Sequence, residues 1–144
     1  MTVLTSSLCF SLVHLAKLRI QDQNASAAVG RAGEHLALAR HSLAGYLCTL
    51  CQIKDHDAYI QMDARTLTLQ VKSASKTHGT SQRYKFHTAK KSVQRSDVYA
   101  FVAVDLDAVV FRRGDEVLKA TTYVPEAEFL NESQSMQKTL DIFK

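Results

Sequence analysis

The segment DVYAFVAVDL, residues 97–106, carries the strongest continuous apolar run in the chain, and the run has strand length and β-branched content. Half-exposed strands alternate polar with apolar residues, so an unbroken run of this kind reads as a central strand buried on both faces. A chain of 144 residues can bury such a strand in one compact domain without disulfide or metal staples. Residues 1–144 are therefore expected to form a single domain. With 46% hydrophobic and 22% charged residues, the composition excludes a disordered or collagen-like chain.

The remaining elements follow from local signals. AAVGRAGEHLALARHSLAGY reads as a helix, with Ser26 available as N-cap and Gly45 as its stop. Leu36 and Leu43 supply its apolar side. Gly30 and Gly33 weaken a helix by roughly 1 kcal/mol each relative to Ala, which predicts close approach of another backbone. Residues 46–50, 57–62 and 66–73 read as three strands, with the MDAR turn between the last two. Residues 73–82 are a polar loop, and 84–95 mix aromatic and basic residues without a clean period. AVVFRR, the RGDE turn and VLKATTYV read as a hairpin, and Pro125 suits the first turn of a closing helix that uses Phe129 and Leu130. The predicted class is mixed α/β, an α+β sheet. Three consecutive strands argue against a doubly wound parallel sheet.

The charge is unevenly spread. The net charge is only +4, yet no Asp or Glu occurs between Asp63 and Asp97. That interval holds Arg65, Lys72, Lys76, Arg83, Lys85, Lys90, Lys91 and Arg95, with His78 and His87. One reading is a solvated face neutralised by Asp105, Asp107, Asp115 and Glu116. A surface for a polyanion fits better, because clustered Lys and Arg supply the sequence-independent part of nucleic-acid affinity. Three cysteines, Cys9, Cys48 and Cys51, are too few for a secreted disulfide framework, and a reducing cytoplasm is expected. VLTSSLCFSLVHLA falls short of a membrane span and no Lys or Arg precedes it. Leu8, Leu12, Leu15 and Leu18 instead mark residues 1–22 as an amphipathic helix for packing or oligomerisation.

The candidate chemistry centres on TLTLQVKS. Strand side chains repeat every two residues, so Gln70 and Lys72 share a face, with Asp57 on the preceding strand and Glu34 on the preceding helix. Magnesium takes hard oxygen ligands and usually one or two carboxylates. Glu34 and Asp57 could supply these, Gln70 its amide oxygen, and Lys72 a cation beside the attacking water. Asp55, two residues before Asp57 on the same strand face, is the rival; Asp57 is preferred because the apolar AYI follows it directly.

GRAGEHLALARHSLAGY, then DAYI, then LTLQVKS resembles the core of the PD-(D/E)xK nuclease superfamily, a restriction-endonuclease-like fold. The resemblance covers residues 30–73, and SDVYAFVAVD with the following hairpin and TTYVP looks like the second half of the same fold. It implies Glu34 as the helix acid, Asp57 as the strand acid, Gln70 at the second metal-side position and Lys72 as the lysine. It further implies a Mg²⁺-dependent endonuclease, with Mn²⁺ able to substitute, acting on DNA. Lys76, Arg83, Lys85, His87, Lys90, Lys91 and Arg95 would contact that DNA. Gln70 replaces the usual acid, as in small intron-encoded homing endonucleases, and predicts weaker metal binding with one metal rather than two. Cutting two strands from one site per chain implies a homo-oligomer, dimer or tetramer. A Holliday junction resolvase and a DNA-binding module with a decayed site are the alternatives.

Other constellations are weaker. Cys48 and Cys51 form a CxxC with His56 close behind, but a structural zinc needs four ligands and no second pair follows. His35 and His41 read as helix-surface residues. Ser73 reads as a phosphate donor or a strand-end hydroxyl.

Overall fold

A computed structural model describes residues 25–53, 56–76, 82–88 and 96–144. The N-terminal leucine stripe, Asp55, His78, Lys90, Lys91 and Arg95 lie outside the described residues.

The first helix, α1, is Ala25–Leu43. It begins one residue before Ser26, which therefore lies inside its first turn instead of capping it. Gly45, at φ 88°, takes the left-handed conformation that ends the helix. Strands β1 (Leu47–Ile53), β2 (His56–Gln61) and β3 (Thr66–Ala74) form an antiparallel meander. The MDAR turn closes with Met62 N donating to Arg65 O at 2.8 Å. β4 is Arg83–His87, overlapping the start of the stretch whose period the sequence leaves open. β5 (Val98–Ala103) and β6 (Ala108–Arg113) follow, then β7 (Thr121–Pro125) and the helix α2 (Glu132–Leu140).

Five strands make a mixed sheet in the order β1-β2-β3-β5-β6, with β3 and β5 parallel and the other pairs antiparallel. All six residues of β5 are buried, as its unbroken apolar run predicts. One face of the sheet packs on α1 and α2 through Leu67, Leu69, Val71, Ala100 and Phe111. The other carries a two-stranded β4–β7 ribbon on Tyr99, Phe101 and Val110. The fold is thus the expected mixed α+β class.

The C-terminal pairing differs from the sequence reading. β6 forms its hairpin with β5, while the TTYVP strand crosses over to pair with β4. The RGDE segment is a 3-10 turn at Gly114–Glu116, long enough to swing the chain out of the large sheet. Pro125 ends β7, and the chain continues as a 3-10 turn, Glu126–Asn131, before α2. Phe129 is buried there, but Leu130 is 86% exposed, so it is not the core residue expected of it.

Side chains fix these registers. Thr68 N and Oγ1 both donate to Asp97 Oδ2 at 2.8 Å, and Asp97 N donates to Thr68 Oγ1 at 2.9 Å, pinning the start of β5 to β3. The outer edge of β6 is covered by one face of α2. Val109 N donates to Glu132 Oε2 at 2.9 Å, Phe111 N to Ser135 Oγ at 3.2 Å, and Thr139 Oγ1 to Phe111 O at 3.1 Å. Edge amides that would otherwise recruit another strand are thereby satisfied. No helix among the described residues is long and apolar enough to cross a membrane.

Candidate active site

Asp57 lies opposite Gln70 by continuation of the β2–β3 register, and both point to the sheet face away from α1. Two donors converge on one carboxylate oxygen: Gln70 Nε2 and the Val71 backbone N–H, the latter at 2.7 Å from Asp57 Oδ2. Asp57 Oδ1 and Gln70 Oε1 keep no hydrogen-bond partner among the described residues. Lys72 follows two residues along the same face, beside Phe101 of β5, and is half-buried. Among the described residues no hydrogen bond or ion pair engages it.

Glu34 comes from the other side of the sheet. α1 packs there through Ala37, and its buried Gly33 sits against Ser73 and Val102. The close approach expected at Gly33 is therefore present, but to side chains, whereas Gly30 has nothing within 4 Å of a built Cβ. Glu34 is half-buried. Burial, and then the negative charge of Asp57, raise its carboxyl above the usual range against the pull of His35 and Arg31. Glu34 and Asp57 are thus close enough to repel each other.

Asp57 Oδ1 and Gln70 Oε1 are hard oxygen donors of the kind a divalent cation takes, while Glu34 is tied to them only through the charge of Asp57. Among the described residues no three His, Cys, Asp or Glu side chains converge.

The basic residues divide. Arg83, Lys85 and His87 alternate as exposed positions on β4. Lys76 is instead ion-paired to Glu126 and lies 4.7 Å over the Tyr84 ring. Asp105, Asp107, Asp115 and Glu116 each have a partner outside β4 or on its inward face. Asp107 meets Arg40, Asp115 and Glu116 meet Arg113, and Asp105 accepts from Tyr84 Oη at 2.7 Å. Burial, with that bond, raises the Tyr84 hydroxyl well above its usual range.

Two further readings change. His41 is fully buried rather than on the helix surface, with Nδ1 2.9 Å from Ala37 O and its ring edge-on to Phe111 at 4.7 Å. Its spacing with Ala37 on one helix face was the available signal. Ser73 faces α1, not the side of Gln70 and Lys72, so neither expected role describes it. The CxxC lies within β1; burial pushes the Cys48 thiol up to about 11, and Cys51 Sγ donates to His56 O at 3.3 Å.

The chain matches no protein-family model and no curated protein sequence. Among solved structures its fold is similar to that of a bacterial homing endonuclease, I-Ssp6803I, with a TM-score of 0.58 at 12% sequence identity. The match spans 83% of this chain and 98% of the other.

Proposed function

We propose that this chain is a metal-dependent DNA endonuclease of the PD-(D/E)xK type with a Gln-x-Lys strand, acting on double-stranded DNA in the cytoplasm. The observation that carries the reading is the Asp57–Gln70 pair, with Lys72 on the same face and the Glu34 carboxyl raised by Asp57. The fold shared with a homing endonuclease supports it.

Glu34, Asp57 and Gln70 would hold Mg²⁺, or Mn²⁺ in its place, through the free Asp57 Oδ1 and Gln70 Oε1 together with the Glu34 carboxylate. The bound cation supplies Lewis-acid polarisation of the scissile phosphate. Val71 N–H fixes the rotamer of Asp57 from behind, so the carboxylate is oriented before any ligand arrives. Lys72 Nζ, uncommitted to any described acid, offers donors to the attacking water and to the negative charge that builds on the phosphate oxygens. Water adds to phosphorus as the P–O3′ bond breaks, leaving 5′-phosphate and 3′-hydroxyl ends. Cutting both strands would take two copies of the chain, so a homo-oligomer belongs to this reading.

Supercoiled plasmid incubated with Mg²⁺, Mn²⁺ or EDTA tests it, beside Lys72→Ala and Asp57→Ala. Metal-dependent nicking or linearisation that both substitutions abolish is expected; cleavage that survives them would discard this site. One observation favours a second reading, a DNA-binding module without catalysis: no three acids meet among the described residues. Plasmid binding without cleavage under both metals would select it. A four-way junction cut in preference to linear duplex would move the substrate to branched DNA.

A further inference from the structure

We propose that the β4–β7 ribbon is a major-groove reading element for duplex DNA, set beside the catalytic face; the inference rests on the nuclease reading above. Antiparallel register pairs Lys85 with Tyr123 and His87 with Thr121, so these side chains and Arg83 share the outward face. Arg83, Lys85 and His87 are exposed and Tyr123 is 50% exposed, with the Arg83 guanidinium 5.5 Å over the Tyr123 ring. The outward positions of both strands are Arg83, Lys85, His87, Thr121, Tyr123 and Pro125, and none is acidic. The face offers donors with hydroxyls and an aromatic ring, the chemistry that meets guanine O6 and N7 and the thymine methyl.

The inward face is anchored. Phe86 packs 5.0 Å from Phe101, Tyr84 lies 5.2 Å from Phe129, and Tyr84 Oη is held by Asp105. Reading groups on a strand held this way lose little freedom on binding, unlike groups on a loop. Five residues of strand span about 17 Å, and two paired strands with their side chains are of the width that the ~12 Å major groove of B-DNA admits. The deep, narrow major groove of an RNA duplex does not admit such a ribbon.

Placement links ribbon to site. Lys72 pairs in register with Phe101, the ring on which Phe86 rests, so Gln70 and Lys72 lie on the sheet face that the ribbon partly covers. β4 runs close to β3, the strand that carries Gln70 and Lys72. A duplex seated on the ribbon would run alongside the site rather than on the opposite side of the molecule.

The test is binding of the full chain, in EDTA so that no cleavage intervenes, to a random-sequence DNA duplex followed by fluorescence anisotropy. One arm carries 5-glucosylated hydroxymethylcytosine, which fills the major groove; a second carries netropsin, which fills the minor groove; a third is an RNA duplex. The expected result is about tenfold weaker binding to glucosylated DNA and to RNA, with netropsin nearly without effect. Lys85→Ala/Tyr123→Ala, with its thermal midpoint unchanged, should lose most of the preference for unmodified DNA over glucosylated DNA. Both side chains are exposed, and Lys85→Ala alone serves if the double variant folds poorly. Equal binding to glucosylated and unmodified DNA, or a preference untouched by the substitutions, overturns the ribbon assignment and leaves the nuclease reading standing. No binding to any duplex overturns both.

Discussion

Gly33 and Ser73 meet where α1 crosses β3: a Cβ on Gly33 would fall 1.8 Å from Ser73 Oγ and 2.9 Å from Ser73 Cβ. Ser73 Oγ is buried there without a hydrogen-bond partner. The next residue on the helix is Glu34, and the preceding residue on the strand is Lys72, on the opposite face. One contact therefore sets the depth at which the helix acid and the strand lysine stand relative to each other.

Gly33→Ala should destabilise the chain by about 1–3 kcal/mol through overpacking and lower metal-dependent cleavage by lifting Glu34 from Asp57. Adding Ser73→Gly removes the obstructing atoms and should restore most of both. Urea denaturation and cleavage titrated with Mg²⁺ check the pair. Loss of cleavage without rescue would show that the contact does not set the site.

Gln70→Glu places a carboxylate where an amide now donates to Asp57. Without metal, the lost bond and new repulsion should cost about 1–3 kcal/mol. With Mg²⁺ the added charge should tighten binding. Melting curves should therefore show a larger Mg²⁺-induced rise in Tm for Gln70→Glu than for the wild type.

Glu34 holds its proton more tightly than a free glutamate because of burial and Asp57. Ionised Glu34 is the form that would bind a cation, so Mg²⁺ affinity should fall as pH drops through its raised pKa. For stability the sign is opposite: with the folded pKa raised, this group's contribution is full below the unfolded value and is lost as pH rises through the folded one. Asp57→Asn should shift the Glu34 titration to lower pH, read from its carboxyl carbon by NMR.

His41 is buried with Nε2 unpartnered, and burial lowers its pKa despite the bond to Ala37 O. Burial disfavours the charged ring in the folded chain, while the unfolded chain protonates it near its ordinary value of about 6.5. Its contribution to stability is thus present above that value and lost as pH falls below it. Urea midpoints should drop between about pH 7.5 and 5, and His41→Leu should flatten that slope.

Much of this architecture is written locally. The unbroken run at Val98–Ala103 announces a strand buried on both sides, Gly45 ends a helix, and the alternation in TLTLQVKS separates Leu69 and Val71 from Gln70 and Lys72. Each signal spans a few residues whose backbone preference or side-chain period acts alone. The same alternation places Arg83, Lys85 and His87 on one side of β4, although the neighbouring charges masked that short strand.

Non-local partners had to come from the folded chain. TTYVP has the strand preference that the sequence shows, but whether it pairs with β6 or β4 depends on the path of the Gly114–Glu116 turn and on aromatic packing over Phe101. His41 was misplaced because a helix shows one polar residue at that position, while its burial is decided by Phe111, seventy positions away. The candidate site divides the same way. The residue types and spacing at Glu34, Asp57, Gln70 and Lys72 are sequence properties, because they depend on strand and helix periods. That Gln70 turns its amide N–H to Asp57, and that Glu34 feels Asp57 from across the sheet, depends on strand register and helix seating, which arise only when distant segments pack.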